Sequence, residues 1–208
     1  MRYFRPSILL SLFYHKAVFR VPVSANKVYL TFDDGPTPGK TERILSILEQ
    51  YRVPATFFLT GRNILTSPDL AQKIRQRGFS IGNHGYDHIR GTSSGFRKYI
   101  ADVKEGEKYS GSIFFRPPYG AIGPCQYYWL RKRYRIVFWD LMPYDFDNRL
   151  DKEQVLKIIK KYLRPGSLIV LHDNSKSNVP DLLGDIIELC RSEGYSFGEL
   201  FEDLIKAG

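Results

Sequence analysis

Cysteine, tryptophan and methionine are scarce in this chain, with two residues of each among 208. Cys125 and Cys190 are too few for a disulfide framework, and they lack the close spacing of a metal-binding pair. No basic run is longer than Arg131-Lys132-Arg133, and no nucleic-acid-binding signature accompanies that run. The apolar stretch Ile8–Tyr14 is seven residues long, whereas a membrane-spanning helix needs about 20. These shortages exclude a disulfide-stapled scaffold and a bilayer span at that stretch, and they leave the redox compartment open.

The composition otherwise fits one ordinary globular domain. Hydrophobic residues make up 43% and charged residues 25% of the chain, and 208 residues are enough for one substantial core. The formal net charge is +9, and residues 1–27 hold five basic side chains and no acidic one. A basic balance can indicate an anionic partner, but a solvated surface is the simpler interpretation without a longer basic cluster.

The N-terminal stretch needs its own interpretation. It begins basic, continues through Ile8–Tyr14, and reaches Val23-Ser24-Ala25, which loosely resembles a signal-peptidase site. The apolar part is at the short limit for a signal peptide, and polar residues separate it from that site. We therefore interpret residues 1–26 as a lead-in that packs on the domain or touches a membrane surface, with the catalytic domain at 27–208. A cytoplasmic or membrane-associated location is accordingly favoured over secretion.

From residue 27 onward, short β-rich runs alternate with helical patterns at intervals of roughly 25 residues, which predicts a parallel sheet with covering helices. No repeat, low-complexity tract or linker interrupts this alternation. Periodicity does not distinguish a barrel from an open doubly wound sheet. The predicted strands are Lys27–Phe32, Ala55–Leu59, Phe79–Gly82, Ser112–Phe115, Arg135–Trp139, Ser167–Leu171 and Tyr195–Phe197. The predicted helices are 40–52, 68–78, 93–108, 126–133, a helix that begins after Asp151, and 180–192.

The segment Thr31-Phe32-Asp33-Asp34-Gly35-Pro36 follows the first predicted strand and contains two adjacent carboxylates. Chemistry in α/β proteins concentrates at the C-terminal ends of strands. Adjacent residues of a strand point to opposite faces, so Asp33 and Asp34 are expected to have different partners. One would hold a metal ion and the other would face water or substrate. Turn chemistry alone explains the segment equally well until the downstream motifs are added.

His84 and His88 are two of only four histidines in the chain. On a helical turn, residues four apart share one face, so both imidazoles can reach one ion. Two histidines and a carboxylate form a common ligand set for zinc and other divalent metals. An aspartate from the strand-end pair would complete that set.

Two further strand ends have chemically useful residues. Arg116-Pro117-Pro118-Tyr119-Gly120 forms a stiff loop, whose Tyr119 and Gly120 amides are candidate oxyanion donors and whose arginine can hold a carboxylate. His172 follows an apolar strand and suits a general acid. Asp140 and Asp145 follow the fifth strand, and either could orient His172 or Arg116.

Five motifs follow one another along the chain: Thr-Phe-Asp-Asp-Gly-Pro, His-x-x-x-His, Arg-Pro-Pro-Tyr-Gly, Trp-Asp…Asp and Leu-His. In this order they resemble the motifs of the polysaccharide deacetylase (NodB-homology) family of metal-dependent carbohydrate esterases. The resemblance covers residues 27 to about 200. It implies an α/β fold, a distorted (β/α) barrel of about seven parallel strands in one domain. It also implies an active enzyme that removes acetyl groups from N-acetylated amino sugars of a glycan.

The resemblance also implies roles for individual residues. Asp33 would be the base that activates water, and Arg116, steadied by Asp145, would hold Asp33. His172 would protonate the leaving amine. The metal ligands would be Asp34, His84 and His88, with zinc the first expectation and cobalt, nickel or manganese also suitable. The Tyr119 amide would bind the oxyanion, and the substrate-binding residues would be Tyr119, Leu171, Phe146 and Tyr86, with Leu171 lining the pocket for the acetyl methyl.

Two positions depart from the family pattern. Gly85 stands where the family usually has Ser or Thr to brace the loop between the histidines, which predicts weaker metal binding. Phe146 stands where a tryptophan is usual, so an indole donor is lost while an apolar wall remains.

Alternatives to the deacetylase interpretation remain. The substrate could be a small or lipid-linked N-acyl or N-formyl amino sugar, or the protein could be a catalytically silent carbohydrate-binding homologue. Asp33, His172 and Arg116 argue against the silent homologue, because binding alone needs neither an acid nor a base. We expect a monomer without nucleic-acid partners, with membrane contact through the N-terminus.

Overall fold

The computed structural model describes residues 3–23 and 25–206. A curled sheet of parallel strands in the order β5-β4-β3-β2-β1-β6 forms its centre, and β7 pairs with the start of β1. Leu141, beyond β5, bridges Ile169 of β6, so the two edges of the sheet approach each other. The predicted distorted α/β barrel is confirmed. The strands are β1 Lys27–Asp33, β2 Ala55–Leu59, β3 Ser80–Asn83, β4 Phe114–Phe115, β5 Arg135–Ile136, β6 Leu168–His172 and β7 Ser196–Phe197.

Most of the helices lie between strands along the chain, as the alternating pattern predicts. Asp151 caps α7 by accepting a hydrogen bond from the Gln154 amide, as predicted from the capping-box sequence. The helices are α1 Ile8–Phe13, α2 Lys40–Tyr51, α3 Gly61–Thr66, α4 Pro68–Gln76, α5 Phe96–Ser110, α6 Pro124–Leu130, α7 Lys152–Tyr162, α8 Val179–Ser192 and α9 Leu200–Lys206. The short helices α1, α3 and α9 were not predicted, because a helix of six or seven residues shows little periodicity, although α6, of similar length, was predicted.

β4 and β5 are shorter than predicted. The expected strand 135–139 ends at Ile136, because the next residues pair with other parts of the chain. Val137 bridges Val18 from the N-terminal stretch, and the amides of Asp140 and Leu141 donate to the Leu168 carbonyl. These pairings lie far apart in sequence, so local pattern could not predict them.

The alternation of side chains along β1 positions the site. Val28, Leu30 and Phe32 pack into the core beneath the helices α2 and α8, which contact each other. Thr31 and Asp33 point to the opposite, inner face, where both accept hydrogen bonds from Arg116. The inner face of β1 is therefore polar at its C-terminal end, although the strand is buried throughout that part.

The N-terminal stretch packs against the domain. Tyr14 is buried against Tyr127 and Phe138, and the Met142 amide donates to the Phe4 carbonyl. In the described part of the chain, none of the helices has the length and apolar character that crossing a bilayer requires. Ser24 of the proposed cleavage site lies outside the described residues. The domain boundary at residue 27, the cellular location and the membrane contact stay predictions.

Candidate active site

The C-terminal ends of β1, β3 and β6 border one cavity of about 500 Å³, which we call the main cavity. This edge of a parallel barrel is where loops can converge around a substrate. The cavity is lined by Asp33, Asp34, His84, His88, Arg90, Tyr119, Trp139, Met142, Phe146, Val170, His172, Asn174, Ser175 and Lys176.

Asp33 is held by a buried arginine. Arg116, immediately after β4, is fully buried, and its Nη1 lies 2.6 Å from Asp33 Oδ1 and 2.7 Å from Thr31 Oγ1. Its Nη2 donates to the Phe138 carbonyl at 2.9 Å. A guanidinium with these fixed acceptors holds the Asp33 carboxylate in one orientation. Asp33 Oδ2 remains on the side facing His84, 3.9 Å from its Nε2.

Asp34, His84 and His88 come together as predicted. Asp34 Oδ1 lies 3.5 Å from His84 Nε2 and 3.0 Å from His88 Nε2, and all three donor atoms lie within 4.8 Å of one another. Burial opposes the charge of Asp34, but hydrogen bonds from both histidines hold its pKa below the ordinary value. His84 Nδ1 is 2.8 Å from the Arg116 carbonyl, which leaves Nε2 directed at the site.

This arrangement fits a divalent metal ion. Two imidazole nitrogens and one carboxylate oxygen are zinc-type ligands, and ligands about 2.1 Å from one ion lie close together in this way. The other Asp34 oxygen accepts a hydrogen bond of 2.6 Å from Asn174 Nδ2, which fixes the carboxylate. Both aspartates line the same cavity because the chain turns at Asp34, whose φ is 80°.

The prediction that the two histidines share a helical turn is wrong. Residues 84–88 form a loop after β3, with Gly85 at φ 76° and His88 at φ 55°. Two side chains brace this loop. Asn83 Oδ1 accepts from the Gly85 amide at 2.8 Å, and the Asp102 carboxylate accepts from the Tyr86 and Asp87 amides at 3.1 and 2.8 Å.

The brace from Asp102 bears directly on Gly85. A Cβ atom at Gly85 would lie 2.5 Å from Asp102 Oδ2. We therefore expect Gly85→Ser, which introduces the residue usual in the family, to weaken zinc binding about 10-fold and to lower the melting temperature. Calorimetric titration of the metal-stripped protein with zinc, together with thermal unfolding, measures both effects.

The matched control is Gly78→Ser. Gly78 also has a positive φ, 79°, but a Cβ there meets nothing within 4 Å. The control therefore includes the backbone strain without the collision. Tighter zinc binding by Gly85→Ser than by wild type would contradict the bracing role of Asp102.

The structure corrects the role that the family resemblance implies for Asp145, and it agrees with the alternative that Asp145 orients His172. Its carboxylate does not contact Arg116; Oδ1 lies 2.9 Å from His172 Nδ1, and Oδ2 accepts from the His172 amide at 2.9 Å. Burial opposes the charged form of His172, but the Asp145 carboxylate outweighs this and, with Asp34 and Asp33, raises the pKa of His172 to about 9. Asp140 pairs instead with Arg164, so it orients neither His172 nor Arg116.

The loop after Arg116 supplies one of the two predicted amides. The Gly120 amide donates to the Pro117 carbonyl at 2.9 Å and is therefore engaged within the loop. The Tyr119 amide makes no such bond to the described residues. Tyr119 has a φ of 59°, and its exposed ring lies 4.5 Å from the His88 ring.

The predicted position of Leu171 is wrong. Leu171 is fully buried in the core beneath the helices, and Val170 lines the main cavity instead. The reason is the two-residue period of a strand, because Val170 and His172 share the face that Leu171 does not. Phe146 lines the main cavity as predicted, with its ring 4.6 Å from the His172 ring. Tyr86 lies outside it, in an adjoining cavity that also contacts Asp34 and His88.

Asn174 and Trp139 were not predicted as site residues. Trp139 packs closely against the loop, since a Cβ atom at Gly120 would be 2.5 Å from its ring. The position of Asn174 two residues beyond His172 was a usable signal, because residues following a strand end border the same cavity. Nothing local distinguishes Trp139 from a core tryptophan.

A metal-ligand triad beside an Arg-held aspartate and an Asp-held histidine, at the C-terminal edge of a parallel barrel, defines a metal-dependent hydrolase. The comparisons with known proteins identify the family. The polysaccharide deacetylase family model matches residues 20–125. The chain belongs to this family of carbohydrate esterases.

Two relatives and one solved structure illustrate the similarity. The chain is 30% identical to a peptidoglycan-N-acetylglucosamine deacetylase of Bacillus cereus, covering 86% of this chain and 88% of that protein. It is 30% identical to a chitooligosaccharide deacetylase of Rhizobium leguminosarum bv. trifolii, covering 76% and 75%. A crystal structure of a peptidoglycan N-acetylglucosamine deacetylase superposes with a TM-score of 0.80 at 31% identity, over 89% of this chain and 91% of that one.

Proposed function

We propose that the protein hydrolyses the N-acetyl groups of N-acetylglucosamine-type residues in a glycan such as peptidoglycan. The observation that carries the proposal is the convergence of three units on the main cavity: Asp33 with Arg116, the Asp34-His84-His88 triad, and His172 with Asp145. These units correspond to a base, a metal site and an acid. Similarity to deacetylases of peptidoglycan and chitooligosaccharides supports the substrate class.

Asp34, His84 and His88 would hold one divalent ion, zinc by preference. Such an ion lowers the pKa of a water molecule and polarises an acyl oxygen. Asp33 accepts the water proton on Oδ2, since Oδ1 is engaged by Arg116. The Tyr119 amide donates to the oxygen that becomes negatively charged as the acyl carbon turns tetrahedral.

His172 completes the reaction by protonating nitrogen. An amide nitrogen leaves poorly without a proton, and the C–N bond breaks as His172 Nε2 donates one. Asp145 holds the opposite ring nitrogen at 2.9 Å and keeps the imidazole charged. Val170 and Phe146 supply an apolar wall of the main cavity that suits an acetyl methyl group.

The test is acetate release from chitopentaose by the purified protein, first metal-stripped and then reloaded with zinc, cobalt, nickel or manganese. We expect stripping to lower release at least 100-fold and zinc to restore it. Light scattering on the same preparation is expected to give a monomer. Metal binding without acetate release from chitopentaose or peptidoglycan would favour a small or lipid-linked N-acyl amino sugar, and absence of metal binding would favour a silent homologue.

We further propose that the protein associates peripherally with a membrane through α1. Leu9, Leu12 and Phe13 on this helix are each about two-thirds exposed, and the exposed His15 and Lys16 follow them. Apolar side chains beside basic ones suit a surface of anionic lipid.

Co-sedimentation with phosphatidylglycerol vesicles is expected to decrease several-fold in Leu12→Ser. Ile113→Ser, a change at an exposed apolar residue distant in sequence, is the control, and equal binding by both variants would contradict the proposal.

A further inference from the structure

A second cavity, of about 330 Å³, has an unusual concentration of positive charge. We call it the arginine cavity. It shares Trp139 with the main cavity. Its charged and titratable lining residues are Arg5, His15, Arg20, Asp140 and Arg164.

The single carboxylate of this cavity already has partners. Arg164 Nε lies 3.1 Å from both oxygens of Asp140, and the Ser167 hydroxyl donates to Asp140 Oδ2 at 2.6 Å. Asp140 is only 2% exposed, so its charge is directed at Arg164 and not at the open part of the cavity. Asp140 thereby neutralises the guanidinium of Arg164, and the guanidinium groups of Arg5 and Arg20 keep their positive charge.

Within residues 3–23 and 25–206, the hydrogen-bond partners of Arg5 and Arg20 are backbone carbonyls only. Arg5 Nη2 donates to the Tyr162 carbonyl, and Arg20 Nη1 approaches the Pro165 carbonyl at 3.4 Å. Arg5 Nε is buried, and none of the described residues offers it a hydrogen-bond partner. Burial and the nearby charges of Arg164 and Arg20 lower the pKa of Arg5 against the opposing effect of Asp140. An anion in the open part of the cavity would offset the repulsion between the guanidinium groups.

A third cavity, of about 500 Å³, adjoins both the arginine cavity and the main cavity, where the reaction takes place. It shares Tyr119, Trp139 and Met142 with the main cavity, and Arg5 and Trp139 with the arginine cavity. Tyr3, Phe138 and Tyr144 also line it, so five aromatic side chains border this third cavity. Aromatic faces suit the apolar faces of sugar rings. The three cavities therefore adjoin, and a glycan longer than the main cavity would extend along these aromatic faces toward the arginine cavity.

From this geometry we propose that the arginine cavity binds an oxyanion substituent of the glycan, a carboxylate or a phosphate, beyond the sugar that is deacetylated. The preferred substrate is accordingly an acidic glycan. The N-terminal stretch contributes to this selection, since Arg5 and Arg20 both belong to it. The inference rests on the proposed deacetylase function and specifies its substrate class.

The experiment compares substrates of equal length. One is a tetrasaccharide of alternating N-acetylglucosamine and N-acetylmuramic acid, and its neutral counterpart has the lactyl carboxylates amidated. A phosphorylated chitotetraose forms a separate arm, compared with unmodified chitotetraose. We expect wild-type kcat/KM to be about 10-fold higher for at least one anionic substrate than for its neutral counterpart, and the arm that shows the preference identifies the oxyanion.

Arg20→Gln is expected to reduce that preference about 5-fold, and Arg20 is exposed, so the variant is expected to fold. Arg97→Gln removes the same charge from an exposed position on α5 that lines none of these cavities, and it is expected to retain the preference. Equal kcat/KM for anionic and neutral substrates in wild type would overturn the inference while leaving the deacetylase function intact. Equal loss of the preference for anionic substrates in Arg20→Gln and Arg97→Gln would also overturn the inference. Absence of acetate release from every substrate would contradict the proposed function itself.

Discussion

Asp33→Asn is expected to lower kcat/KM for acetate release about 1,000-fold, while the affinity for zinc changes less than 3-fold. The amide cannot accept the water proton, so the chemical step is lost. The metal site remains, because Asp34, His84 and His88 are unchanged. Zinc titration and acetate release measured on the same preparation separate the two effects.

The same substitution is expected to lower stability. Arg116 is fully buried, and Asp33 is its carboxylate partner at 2.6 Å. Replacing a charged acceptor beside a buried guanidinium costs about 2 kcal/mol of the free energy of unfolding. Thermal or urea unfolding measures this cost, and kcat is then corrected for the folded fraction.

Two matched variants isolate the role of Asp33. Asp34→Asn is expected to lose both zinc affinity and activity, because it removes a ligand and not the base. Asp203→Asn breaks a partly buried contact with Lys27 and Tyr29 away from the main cavity, so it is expected to lose stability and retain kcat. If Asp33→Asn retained a tenth of wild-type turnover, Asp33 would not be the base. If Asp33→Asn lost zinc binding, Asp33 would be a metal ligand.

Asp145→Asn is expected to lower kcat about 50-fold at pH 8 and to move the alkaline limb of the pH profile to lower pH by more than one unit. In wild type the pKa of His172 is raised to about 9, so the acid is protonated below that pH and lost as pH rises through it. Without the carboxylate, burial of His172 dominates and its pKa falls. The imidazole is then mostly neutral at pH 8, and no proton is available for the leaving nitrogen.

The pH dependence distinguishes this role from a structural one. At pH 6 the deficit is expected to be smaller than at pH 8, since a larger fraction of His172 is protonated there. Asp151→Asn is the control, because Asn also caps a helix and Asp151 is exposed at the start of α7. An alkaline limb that stays in place in Asp145→Asn would show that Asp145 does not set the pKa of His172.

Much of the site could be predicted before the structure, because its residues follow strands directly. Asp34, His84 and His88 meet because parallel strands bring their C-terminal ends to one edge, and Arg116 reaches Asp33 for the same reason. Local order along the chain is enough for such a prediction. The mistaken partner of Asp145 shows the limit, since the family resemblance assigned it to Arg116 and only the packing of the loop after β5 places it against His172.

The sequence by itself determined the order of strands and helices along the chain, the types of metal ligand and the chemical character of the strand ends. These depend on residue identity and on periods of two and 3.6 residues. The tertiary structure decided which face each residue occupies and which loop meets which. Val170, and not Leu171, lines the main cavity. The Asp102 carboxylate lies where the side chain of a serine at position 85, the residue usual in the family, would be. The tertiary structure also brought Arg5 and Arg20 of the N-terminal stretch beside Trp139. These outcomes depend on contacts between residues distant in the chain, whose geometry no local pattern encodes.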